Sequence, residues 1–110
     1  MPSTASLEVD VTAFAAAHRD GAYVVDVREP DEYATGHVPG ARLIPLGTLA
    51  ARVADLPRDR SVFVVCASGN RSLKAATMLA GMGVPATSVA GGTSAWRQTG
   101  HRVVLGQHEA

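Results

Sequence analysis

Residues 61–65 read SVFVV, and this unbroken, mostly β-branched apolar run leaves few choices of fold. A strand with one wet face alternates apolar and polar side chains; a continuous run demands cover on both faces, as in a parallel sheet between helices. A second run, YVVDV over 23–27, has the same character. Around these runs lie helical patterns. Asp10 is placed to cap a helix through Phe14 to His18, which Gly21 ends. A short helix is expected over 29–34, with Pro30 in its first turn. Leu46, Leu49, Val53 and Leu56 recur at the spacing of one helical face before Pro57. A helix over 72–82 places Leu73, Ala76, Leu79 and Ala80 inward and stops at Gly83, and another over 93–99 carries Trp96. Short strands are expected over 41–44, 87–89 and 103–105. Strands alternating with helices predict an α/β architecture with a mainly parallel sheet.

Composition narrows what such a fold could do. The 110 residues carry ten basic and ten acidic side chains, so the net charge is zero, which argues against a non-specific polyanion binder and leaves room only for a local basic spot. No apolar run approaches the roughly 20 residues that span a bilayer, and the first ten residues lack the pattern of a secretion signal. One cysteine excludes an internal disulfide and a multi-cysteine zinc site, and it fits a reducing compartment. A cytoplasmic protein with no membrane and no nucleic-acid partner is expected. The small or polar ends, 1–6 and 106–110, read as frayed, which leaves 7–105 as a single domain. No G-x-G-x-x-G follows a strand, and there is no phosphate-binding P-loop pattern.

The chemistry concentrates where SVFVV ends. Cys66 closes the apolar run and is followed by Ala67, Ser68, Gly69, Asn70 and Arg71, then by Ser72 and the helix. In open α/β sheets, ligands meet the carboxyl ends of strands, where loops lead into helices. Small residues let this loop curl tightly, and Gly69 permits a backbone turn that a side chain would resist. Successive N–H groups in such a turn form an anion cradle, the helix start adds partial positive charge, and Arg71 adds a full one. All of these favour a thiolate, which is the nucleophilic form of cysteine. Each unit of pKa lowering requires about 1.4 kcal/mol, and a helix N-terminus contributes at most about 2 kcal/mol, so loop amides and Arg71 share the task. A cysteine that ends a strand is more often a small core residue; the loop, the helix start and the arginine shift that balance toward reactivity.

Three motifs in this order resemble the rhodanese-like family in its single-domain, thiosulfate sulfurtransferase-like form. They are VVDVREPDEYATGHVPGA over 24–41, CASGNRS over 66–72 and GGTSAW over 91–96, and the match runs from about Glu8 to Val104. The resemblance implies a three-layer fold with a five-stranded sheet flanked by helices on both faces. It implies that Cys66 is the catalytic nucleophile, taking the outer sulfur of a small anionic donor such as thiosulfate as a persulfide. Cyanide, a thiol or a protein thiol would then accept it. Ala67, Ser68, Gly69, Asn70, Arg71 and Ser72 would bind the substrate, and neither a metal nor an organic cofactor is called for. Asp26 and Arg28 of DVRE read as an ion pair supporting nearby loops. His37 reads as a hydrogen-bonded turn residue, Trp96 as core, and Asp31 and Glu32 as solvated first-turn acids.

The chain departs from the family pattern at Ala67, where many relatives carry a basic residue, and at Leu43, where asparagine is frequent. The first departure leaves Arg71 as the loop's one cation and argues against strong thiosulfate binding. Two other roles use the same loop: a persulfide carrier or partner-binding module, and a phosphatase or arsenate reductase. The latter sites resemble a cysteine and an arginine separated by five residues; here four separate Cys66 from Arg71.

Overall fold

The SVFVV run forms the middle of the sheet. In a computed structural model, which describes residues 7–110, five strands lie in the order β1-β5-β4-β2-β3, and every pair is parallel. The strands are β1 (Glu8–Val9), β2 (Tyr23–Asp26), β3 (Arg42–Leu43), β4 (Val62–Val65) and β5 (Ala86–Val89). The helices are α1 (Val11–Arg19), α2 (Pro30–Ala34), α3 (Leu46–Leu49), α4 (Asn70–Gly81) and α5 (Gly92–Gln98). The expected frayed segment 1–6 lies outside the described residues.

The central strand shows why its sequence does not alternate. Val62 and Val64 pack with Ala75, Ala76 and Leu79 of α4 and with Leu49 and Val53, forming one core cluster. Phe63 and Val65 belong to a second cluster with Phe14 of α1 and Trp96 of α5. The strand period of two therefore assigns alternate residues to two separate cores. Continuing that period carries Cys66 to the α4 side, in the same cluster as Val62 and Val64.

Four elements differ from the sequence reading, the first being α4, on which Leu73 and Ala80 are exposed and Ser72 and Ala75 join Ala76 and Leu79 inside. The helix expected to Leu56 is α-helical only in α3 and continues as a 3-10 helix over Ala50–Asp55. Strand β1 has two residues, too short for a periodic signal, and joins the sheet through Glu8↔Ser88 and Val9↔Val89. The expected strand over 103–105 is a single antiparallel bridge between His37 and Val104.

The tail over 106–110 also differs, since composition marks it as frayed. The Gly106 N–H donates to the Ala34 carbonyl at 2.9 Å, and Gln107 Nε2 donates to the Pro30 carbonyl at 3.0 Å. The carbonyls of His108 and Glu109 meet His37 Nε2 and the Gly40 N–H. The tail thus crosses α2 and the GHVPG turn, held by backbone groups that composition cannot register together with the Gln107 and His37 side chains.

Helix α5 starts against the Cys66 loop. Its Thr93 and Ser94 N–H groups donate to the carbonyls of Cys66 and Ala67, at 2.8 and 3.0 Å. This approach requires Gly92, whose φ is +53° and whose hypothetical Cβ would lie 2.3 Å from the Cys66 carbonyl oxygen. Gly92→Ala is expected to lower stability by about 2 kcal/mol or more, a fall in unfolding midpoint on the order of 10 °C. Gly81→Ala, at the open end of α4 with nothing within 4 Å of a new Cβ, is expected to leave the midpoint level or raise it. Thermal unfolding of both variants checks the contrast.

Candidate active site

A helix begins with N–H groups that have no intrahelical partner, and most helices meet them with an N-cap side chain. Helix α4 cannot, because its N-cap is Gly69, held at φ +107°. The sulfur of Cys66 takes that role. Its Sγ accepts the Gly69 N–H at 3.1 Å and the Ser72 N–H, the third residue of α4, at 3.3 Å. The Ser68 N–H also points to it. Cys66 is 1% exposed, so these contacts replace water around the sulfur.

Behind the sulfur lies a pair of buried hydroxyls. Ser72 Oγ is 3.4 Å from Sγ, 3.2 Å from the Gly69 carbonyl and 2.7 Å from Ser88 Oγ of β5. Neither serine is exposed. A hydroxyl has one proton to give, which assigns the bonds in each state. Beside a thiol, the S–H donates to Ser72 Oγ and Ser72 donates to the Gly69 carbonyl. Beside a thiolate, Ser72 turns its proton to the sulfur and Ser88 donates to Ser72. Burial alone would push the thiol up, but the Ser72 hydroxyl and the Ser72, Gly69 and Ser68 N–H groups outweigh it, so its pKa lies below the ordinary value. The strand register that pairs Val64 with Ser88 brings this second serine under the loop. Sequence reasoning missed Ser88; the available signal was one serine inside the short β-branched run TSV.

The other loop residues divide. Ala67 turns its carbonyl to α5. Asn70 is exposed and lines a concavity along α4. Arg71, expected to bind the substrate, is paired with Glu32 of α2. Its two terminal nitrogens meet Oε1 and Oε2 at 2.8 and 2.7 Å. Glu32 is therefore not the solvated acid that its place in a first helical turn indicates. The same carboxylate accepts the Glu29 N–H at 3.0 Å, completing a capping box. The Arg71 bond and then the Glu29 bond hold Glu32 well below the usual carboxylate range, at about 2.

Asp26 and Arg28 form a buried pair at the carboxyl end of β2. Arg28 Nε donates to Asp26 Oδ1 at 3.0 Å, and an Arg28 terminal nitrogen meets Oδ2 at 2.8 Å and the Gly36 carbonyl at 2.9 Å. The pair ties the strand end to the turn before His37. His37 is fully buried, stacked on Tyr33 at 3.5 Å, with Nδ1 2.9 Å from the Tyr33 carbonyl. It has no contact with the sulfur site. Trp96 packs edge-on against Phe14 in the core and donates Nε1–H to the Arg102 carbonyl. Among the described residues, no group of three or more His, Cys, Asp or Glu side chains could hold a metal, and no helix is long and apolar enough to cross a membrane.

A lone cysteine at the carboxyl end of a central parallel strand, its sulfur capping the next helix, defines an α/β protein with a thiol held in its strand-to-helix loop. The family model described as the rhodanese-like domain matches residues 10–99, and the chain belongs to that family. A thiosulfate sulfurtransferase, GlpE, of Pseudomonas putida is 40% identical over 82 residues, which cover 74% of each chain. A sulfurtransferase of Allochromatium vinosum is 34% identical over 89 residues, 80% of this chain and 83% of that one. Among solved structures, a rhodanese-related protein of Thermoplasma volcanium superposes with a TM-score of 0.81 at 34% identity, covering 89% of this chain and 97% of that one.

Two outcomes test the electrostatics. Ser72→Ala removes the hydroxyl donor to the thiolate, so the pH at which iodoacetamide alkylation of Cys66 reaches its plateau should rise, with a several-fold slower rate at neutral pH. Glu32 should titrate near 2 by carboxyl-carbon NMR and return toward the ordinary range in Arg71→Ala. Because the folded value is depressed, the stability this pair adds is complete above the unfolded value. It is lost as pH falls through about 2.

Proposed function

We propose that the protein is a sulfurtransferase that carries a sulfane sulfur as a persulfide on Cys66. The observation that carries this reading is the sulfur itself, which accepts the N–H groups of Gly69 and Ser72 at the start of α4. Those donors stabilise negative charge on the attacking thiolate and, after transfer, lie beside the persulfide. The thiolate attacks the outer sulfur of a donor such as thiosulfate; the donor S–S bond breaks and sulfite leaves with the electron pair. Cyanide, a thiol or a protein thiol then attacks the outer sulfur of the Cys66 persulfide. The bond between Cys66 Sγ and the outer sulfur breaks, thiocyanate or the acceptor's persulfide departs, and the electron pair returns to Cys66 as thiolate.

The relay is covalent from end to end, and it suits a reducing, cytoplasmic setting. The relatives named sulfurtransferase support the reading, as does the four-residue spacing between Cys66 and Arg71. A phosphoryl group would be clamped best by an arginine with no other anion, whereas Glu32 engages two of the five N–H donors of Arg71 and balances its charge.

Incubation with thiosulfate should load one cyanide-releasable sulfur per chain, detected as thiocyanate, and Cys66→Ser should load none. Equal thiocyanate formation by the two proteins would refute the assignment.

A further inference from the structure

The charges around the Cys66 loop cancel. Arg71 is the loop's only cation, and Glu32 neutralises it through both terminal nitrogens, at 2.8 and 2.7 Å. Glu32 is itself anchored, because its Oε1 also accepts the Glu29 N–H at 3.0 Å. Ala67 supplies no charge, and Asp26 and Arg28 cancel on the neighbouring strand end. What remains for an incoming anion is an Arg71 whose charge is balanced and the partial charge of the α4 N-terminus, where the Cys66 sulfur already accepts the N–H groups of Gly69 and Ser72.

Thiosulfate would bring two full negative charges to this site beside a thiolate. An alkyl persulfide, R–S–SH, brings one at most. We propose that Glu32 is a specificity-determining residue which, by closing Arg71 into an ion pair, selects organic persulfides over the thiosulfate dianion as sulfur donors. The proposal rests on the reading of Cys66 as the sulfur carrier and names its donor class. The Cys66 thiolate attacks the terminal sulfur of R–S–SH, the donor S–S bond breaks, R–S⁻ leaves with the electron pair, and Cys66–S–SH forms. Sulfur is neither gained nor lost, and no external oxidant or reductant takes part.

The surface beside the loop suits a donor with a carbon side. Asn70, directly after Gly69, begins an open concavity of about 470 Å³ that continues over Leu73, Lys74, Thr77 and Met78. Its walls are mainly apolar, and Lys74 is the one charge in them.

The test compares single-turnover loading of Cys66 by thiosulfate and by the persulfide of 2-mercaptoethanol, read as the mass gain of one sulfur atom. The wild-type protein should load faster from the alkyl persulfide. Glu32→Gln keeps an oxygen for the Glu29 N–H but releases Arg71, so the thiosulfate rate should rise about tenfold relative to the persulfide rate. That gain should vanish in Glu32→Gln/Arg71→Ala and shrink as salt is added, responses that a merely structural role of Glu32 would not give. Faster wild-type loading from thiosulfate, or a rate ratio unmoved by Glu32→Gln, overturns the proposal while leaving Cys66 as the carrier. Loading from neither donor overturns the carrier reading and this proposal together. An unfolding midpoint for each variant separates lost folding from altered selectivity, and the wild-type donor preference stands as a test without any variant.

Discussion

Every helix must find acceptors for its first N–H groups, and α4 finds one in a sulfur atom. The rest of the site is arranged around that bond. Gly69 has no side chain with which to cap the helix, so the Gly69 and Ser72 N–H groups converge on Cys66 Sγ at 3.1 and 3.3 Å. The same contacts cap the helix and stabilise negative charge on the sulfur. A thiolate is a better acceptor than a thiol, so helix capping and thiol ionisation favour each other. On the opposite side, the carbonyls of Cys66 and Ala67 accept the first N–H groups of α5, so one loop terminates two helices.

Electrostatics around the sulfur operate at two ranges. At close range, hydroxyl and backbone donors set the state of the thiol within a dry pocket, where each hydrogen bond counts for more than in water. Farther out, ion pairs balance the full charges. The Asp26–Arg28 pair is buried and joins β2 to the turn before His37, whereas Arg71–Glu32 is about one-third exposed. A half-wet pair contributes little to stability, so Arg71–Glu32 bears on the charge at the edge of the loop more than on holding the fold together.

Much of this was legible in the chain. The non-alternating run at 61–65 implied a strand covered on both faces, and it is the middle strand of a five-stranded parallel sheet. The change from apolar to small polar residues at Cys66 marked the loop, and the three motifs marked the family. What stayed hidden are contacts between residues distant in sequence. Glu32 and Arg71 are 39 residues apart, and Ser72 and Ser88 are 16 apart. Each of the four has an unremarkable local explanation as a helix-start or strand residue. The tail over 106–110 was illegible for another reason: three of its four named bonds use the tail's own backbone groups, which every sequence possesses.

By itself, the sequence determined the alternation of strands and helices, the position of the one cysteine and the tight glycine turns around it. These follow from periodicity and backbone freedom, which are local properties. Only the tertiary structure decided what the sulfur meets and what Arg71 is free to do. Parallel pairing of β4 with β5 placed Ser88 beneath Ser72, and the packing of α2 beside the loop gave Arg71 its carboxylate. The reason is physical: ionisation and charge balance depend on distances across the fold, and spacing along the chain does not set those distances.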